Sequence, residues 1–184
     1  MRLVTKRLIL RPIEKKDAKD LVENLNNIKV SRYLLRVSHP YRLKDAKSWI
    51  GYCSKESKEK PQKVYDFAIE LKSEKKQIGG IEIGNVDRFQ GKAEVGYWLG
   101  EKHWGQGIAS EALSAIIDFA FNKLNLRRLE AGVFMENKAS SRLLEKFGFK
   151  KEGSRIECYR SKATGKIHGD YFYGLLKKNY KAGK

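Results

Sequence analysis

The sequence predicts an α/β fold of the α+β kind: a mixed, mostly antiparallel sheet flanked by helices, in the order βααβββαβαββ. Two patterns carry that prediction. In YDFAIEL (65–71), Tyr65, Phe67, Ile69 and Leu71 alternate with Asp66, Ala68 and Glu70, the period of a half-buried strand. Two more strand-like runs follow after short polar turns, and turns that short build an antiparallel meander rather than a parallel crossover. Further on, a long apolar helix stands between two strands, and such a crossover sets its flanking strands parallel.

Taken in order, residues 3–11 (LVTKRLILR) read as a first strand ended by Pro12. Asp17 or a neighbour opens a helix with Ala18, Leu21, Val22 and Leu25 on one face. Residues 28–42 are irregular, with a turn at His39-Pro40, and Leu43 to about Lys58 forms a second amphipathic helix through Ala46, Trp49, Ile50 and Cys53. These two helices make a flap over one edge of a site. The meander takes 65–71, 77–87 and 93–100, with turns at SEKK (73–76) and DRFQGK (87–92).

From Ile108 to Leu124, Ser110, Ser114, Asp118 and Asn122 form one narrow polar stripe on an otherwise apolar helix, which is therefore largely buried against the sheet. Arg128 to Phe134 follows as a strand. Asn137 caps the helix KASSRLLEKFG, whose buried face is Leu143, Leu144 and Phe147, with Gly148 where a helix end favours positive φ. FKKEGSRIECYRS (149–161) and GDYFYGLL (169–176) close the sheet around the turn KATGK, and KKNYKAGK (177–184) frays.

A chain of 184 residues with 41% hydrophobic content fits one globular domain with a sizeable core, residues 1–184. No segment approaches the ~20 consecutive apolar residues that span a bilayer. The N-terminal run carries internal charges and no small-residue cleavage site, so no signal peptide is expected. Cys53 and Cys158 make neither a disulfide framework nor a metal spacing, and His39, His103 and His168 are scattered, so the expectation is a cytoplasmic protein without a metal. A net charge of +17 would steer an anionic ligand inward, a phosphorylated cofactor or nearby RNA, although lysines spread along the chain also serve plain solubility.

The stretch VGYWLGEKHWGQGIASEAL (95–113) passes from a strand through Gly105 and Gly107 into the apolar helix. The first amides of a helix lack intrahelical acceptors and form a site for an anion. The glycines alone leave a pyrophosphate cradle and a plain strand–loop–helix junction evenly matched.

RLILRPIEKKDAKDL, IGGIEIG, AEVGYWLGEKHWGQGIASEAL, ENKASSRLLEKFGF and DYFYGLL together resemble the GNAT superfamily of acetyl-CoA-dependent N-acetyltransferases, and within it the RimJ/RimL-like branch that acetylates ribosomal-protein N-termini. The resemblance implies that the loop amides hold the CoA pyrophosphate. The family pattern is Arg or Gln, two residues, Gly, one residue, then Gly or Ala. Gly107 and Ala109 match it, with Trp104 at the first position in place of the basic or amide residue, and Gly105, Gln106 and Ile108 between. Tyr97, Trp98, Leu99 and Gly100 would pair with the pantetheine arm as with an added strand, Gly96 and Gly100 easing its approach. Asn137, Ser140 and Arg142 would meet the cofactor, with Lys146 a further phosphate contact.

Acetyl transfer to an amine needs a base for the ammonium proton, a donor for the developing oxyanion and a group to stabilise the departing thiolate. Glu94 matches the family's general-base position, with Glu82 on the neighbouring strand as competitor. Many members place a tyrosine seven residues after the asparagine. Here that residue is Leu144, so Ser140, which matches the RimJ/RimL-like serine, is the candidate donor to sulfur. The Leu99 amide is the candidate oxyanion donor. Tyr33, Trp49 and Trp98 either line an acceptor pocket or belong to the core. The expected acceptor is a protein N-terminus near the ribosome. A small amine, or a non-catalytic CoA- or RNA-binding module, stands as the alternative, and the protein is expected as a monomer or homodimer.

Overall fold

The N-terminal residues do not run as one strand. In the computed structural model, which describes residues 1–180, Leu3–Val4 (β1) and Leu8–Arg11 (β2) fold back on each other as an antiparallel pair. Thr5 makes the turn: its amide donates to the Leu8 carbonyl and its hydroxyl accepts from the Leu8 amide, both at 3.0 Å. Threonine suits a strand as well as a turn, which hid the break.

Asp17 ends a short 3₁₀ turn and Ala18–Leu25 (α1) follows. The Asp17 carboxylate serves another purpose, accepting two hydrogen bonds from Arg11 at 2.7 and 2.8 Å, while Arg11 also holds Glu70 at 2.6 Å. Arg11 and Asp17 are each 1% exposed, so this ion cluster lies wholly inside the protein. The segment expected to be irregular contains a short helix, Ile28–Ser31 (α2), because the Asn27 side chain accepts from the Lys29 amide at 2.9 Å and caps it. Leu43–Glu56 (α3) completes the flap.

Tyr65–Leu71 (β3), Lys76–Asp87 (β4) and Lys92–Leu99 (β5) form the expected meander. Ile108–Asp118 (α4) then crosses the sheet and ends in one wide turn, in which the Leu124 amide reaches the Phe119 carbonyl. Arg128–Phe134 (β6) pairs parallel to β5 as the crossover requires. Lys138–Lys146 (α5), Lys150–Arg160 (β7) and Ile167–Leu176 (β8) finish the chain. All eight strands join one sheet, ordered β1-β2-β3-β4-β5-β6-β8-β7, with β8 between β6 and the edge strand β7.

Each sheet face has its own core. On one, Ile108, Ala112, Leu113, Ile116 and Ile117 of α4 pack with Leu144 of α5 against Leu8, Ile69, Ile81, Val95 and Leu129. Leu113, Ile116 and Ile117 are fully buried, each contributing about 1.5–3 kcal/mol. On the other, Leu21, Leu25, Val30, Ala46 and Ile50 of the flap form a smaller cluster, with Trp49 and Trp98 packed beside it. Residues 177–180 are ordered rather than frayed: Lys177–Asn179 form a 3₁₀ turn and the Tyr180 ring lies 5.6 Å from that of Phe121. The remaining residues, 181–184, lie outside those described. Among the described residues no helix is long and apolar enough to cross a membrane.

Candidate active site

The parallel ladder between β5 and β6 is short. Lys92, Ala93 and Glu94 pair with Arg128, Leu129 and Glu130, and beyond that point the two strands pair no further. On the other edge of β5, Leu99 faces Gly79 and the Gly100 amide donates to the Ile78 carbonyl at 2.9 Å. Antiparallel bonding alternates, so the amides of Gly96, Trp98 and Gly100 point to β4 while those of Tyr97 and Leu99 point into the gap. The structure therefore brings Tyr97 and Leu99 to the candidate cofactor site. Trp98 and Gly100 have their amides turned away from it.

The glycines expected to ease a ligand's approach have nearer reasons to be glycine. A side chain on Gly96 would stand 2.9 Å from Glu82 Oε1, and one on Gly100 would overlap the Asn24 side chain.

Trp104, whose uncharged ring departs from the loop pattern, donates its indole N–H to the Leu99 carbonyl at 2.7 Å and ties the loop to the strand end. Gly105 and Gly107 both have φ 73, a left-handed conformation that glycine adopts without steric cost. Gly107 opens α4 without a side-chain cap, and the amides of Ile108, Ala109 and Ser110 have no acceptor among the described residues. The loop thus presents a row of bare donors at a helix N-terminus, the arrangement that holds a diphosphate. Gln106 folds its side chain back onto the Lys102 carbonyl at 2.9 Å.

The α5 helix meets this site at its first turn. Asn137 Oδ1 accepts from the Ser140 amide at 3.2 Å, so Asn137 is a helix cap. The Ser140 hydroxyl lies 2.8 Å from the Tyr97 hydroxyl, bridging β5 and α5. Burial pushes the Tyr97 phenol up to about 12 and keeps its proton in place. The sequence had offered Tyr97 only for its backbone; nothing in the spacing links it to Ser140. Arg142 is exposed with no partner among the described residues, while Lys146 reaches Ser110 Oγ of α4 at 3.4 Å and brings a cation to the loop.

On the flap side, Asp66, Glu82 and Gly96 are cross-strand neighbours in one row. Burial, then the Asp66 carboxylate, pushes Glu82 up to about 7, and burial raises Asp66 as well. The Cys53 thiol of α3 adjoins Asp66 and is raised by the same burial. Glu94 is exposed and has no hydrogen-bond or ion-pair partner among the described residues. The Leu35 carbonyl of the flap accepts from the Lys162 amide at 3.5 Å, so the flap is tied to the β7–β8 turn. Trp49 and Trp98 are half-buried beside the flap core, and Tyr33 carries Arg32 on its ring at 4.5 Å.

The family model described as an acetyltransferase (GNAT) domain matches residues 7–150. The chain is 36% identical to the uncharacterized N-acetyltransferase p20 of Bacillus licheniformis over 178 residues, 97% of each chain. It is 31% identical to the [ribosomal protein uS5]-alanine N-acetyltransferase of Escherichia coli over 161 residues, 83% of this chain and 80% of that one. Among solved structures, Mycobacterium smegmatis RimJ in complex with CoA-disulfide superposes with a TM-score of 0.80 at 25% identity, covering 93% of this chain and 82% of that one. The parted strands, the bare amides and these matches agree: the chain belongs to the GNAT acetyltransferase family and is an acetyl-CoA-dependent N-acetyltransferase, with ribosomal-protein acetyltransferases among its homologues.

Proposed function

We infer that this protein acetylates the α-amino group of a protein N-terminus, with a ribosomal protein as the first acceptor to test. The observation that carries the site is the gap beyond Glu94 and Glu130, where the Tyr97 and Leu99 amides lead to the bare amides of α4. The kinship with a ribosomal-protein alanine acetyltransferase supports the acceptor class.

In this reading the Tyr97 backbone holds the pantetheine arm. The Ile108, Ala109 and Ser110 amides take the diphosphate, with Lys146 and Arg142 beside it. Acetyl-CoA supplies the activated acetyl group. The Leu99 amide stands ready for the oxyanion, and Ser140, oriented by Tyr97 and by the α5 dipole, stabilises negative charge on sulfur. Glu82 is favoured over Glu94 as the base. A carboxyl poised near neutrality is matched to removing an ammonium proton, and burial, with the Asp66 carboxylate beside it, makes Glu82 basic.

The test is incubation with acetyl-CoA and isolated ribosomal proteins, read by intact mass and by N-terminal peptide sequencing. One added acetyl on an α-amine is the expected result. Free CoA release with small amines and no transfer to any protein would replace the acceptor while leaving the enzyme class in place.

A further inference from the structure

Arg7 is not among the residues assigned above, yet it grips the cofactor loop. It sits in the β1–β2 turn, far from the loop in sequence. Its Nη1 donates to the Gln106 carbonyl at 2.8 Å, and its Nε and its own amide donate to the Glu111 carboxylate, both at 2.7 Å. The Thr5 hydroxyl adds another bond to Glu111 at 2.6 Å.

The carbonyl of Gln106 and the N–H of Gly107 belong to one planar trans peptide and point in opposite directions. Holding that carbonyl therefore fixes where the Gly107 N–H points. This N–H has no acceptor among the described residues and heads the row of bare amides that continues through Ser110. Gly105 and Gly107, both at φ 73, carry no side chain, and that of Gln106 is engaged by the Lys102 carbonyl, so the Arg7 bond is the one side-chain hold on the Gln106 carbonyl among the described residues. A cation on the carbonyl also polarises the peptide and strengthens its N–H as a donor. Finally, Glu111 places a carboxylate in the first turn of α4, where it would repel a diphosphate, and Arg7 neutralises it.

We propose that Arg7 is a positioning residue for the cofactor: it sets CoA affinity by orienting the Gln106–Gly107 peptide and masking Glu111. The proposal rests on the CoA reading of the loop. Its test compares Arg7→Met, Arg7→Lys and Thr5→Val by calorimetric titration with CoA and by initial rates against acetyl-CoA and an accepted amine.

Arg7→Met is expected to raise the CoA Kd and the KM for acetyl-CoA roughly tenfold, the worth of one charge-assisted hydrogen bond, with kcat and the acceptor KM little changed. Arg7→Lys, with a single ammonium in place of the fork, falls between the two. Thr5→Val loosens Glu111 but leaves the Gln106 carbonyl held, so it lowers Tm without weakening CoA. Unchanged CoA affinity in both Arg7 variants overturns the proposal. So does a loss in Thr5→Val equal to that in Arg7→Met, since the effect is then general loosening. If Arg7→Met does not fold, Arg7→Lys against Thr5→Val decides by the same criteria. A wild-type protein that binds no CoA refutes the loop reading itself, whereas normal wild-type binding with unaffected variants refutes only the role of Arg7.

Discussion

The hydroxyls of Tyr97 and Ser140 lie 2.8 Å apart, joining the middle of β5 to the first turn of α5 across the parted sheet. Either group can donate in this pair, and when the Tyr97 hydroxyl donates, to Ser140 Oγ or to the Ser140 carbonyl at 3.4 Å, the Ser140 proton is left free for another acceptor. Ser140→Ala is expected to lower kcat by roughly 10²-fold, in the range of positioned acid catalysis, with the KM for acetyl-CoA little changed. Tyr97→Phe costs less, and the double variant falls short of the product of the two because the groups act together. Steady-state kinetics on the three variants measure this. Fully multiplicative losses would break the link between the two residues.

Glu82 and Glu94 are separated by pH dependence. With Glu82 protonated below about 7, kcat/KM should rise with pH through that value and level off above it. Glu82→Gln removes this limb and lowers kcat by roughly 10²-fold or more. Glu94→Gln should leave both in place. The opposite pattern would return the role of base to Glu94.

Asp66→Asn moves the same limb. After burial, the Asp66 carboxylate raises Glu82 by its charge and its hydrogen bond, so its neutral replacement lowers the Glu82 pKa and shifts the rising limb to more acidic pH. A limb that stays where it was would mean that burial alone sets the Glu82 pKa.

Gly96→Ala places a methyl 2.9 Å from Glu82 Oε1, the free end of a flexible side chain. The carboxylate gives way more easily than the sheet does. The expected outcome is a lower kcat with Tm nearly unchanged, read by kinetics and thermal melts on one preparation.

Arg11→Met leaves Asp17 and Glu70 buried without their shared cation. Breaking a buried ion cluster in this way costs about 3–5 kcal/mol, which chemical denaturation will show. The catalytic groups lie elsewhere, so the folded fraction should keep its activity.

The order of elements was legible because it rests on period and turn length. The alternation of Tyr65 to Leu71 and the narrow polar stripe of α4 survive any detail of packing. What was not legible depends on neighbours distant in sequence. LVTKRLILR reads as one strand because Thr5 and Arg7 fit a strand locally, and only the α4 N-terminus explains why the turn is there. Glu82 and Glu94 are alike as letters on adjacent strands, and burial distinguishes them. For Gly96 and Gly100 the sequence does not show that a side chain at either would meet Glu82 or Asn24.

The short β5–β6 ladder also makes the sheet two plates, five strands and three, hinged where Glu94 meets Glu130. A ligand that pairs with Tyr97 and Leu99 acts as a splint between plates. Occupancy and stiffness then become one property, so deuterium uptake at those two amides reports how firmly the halves are coupled.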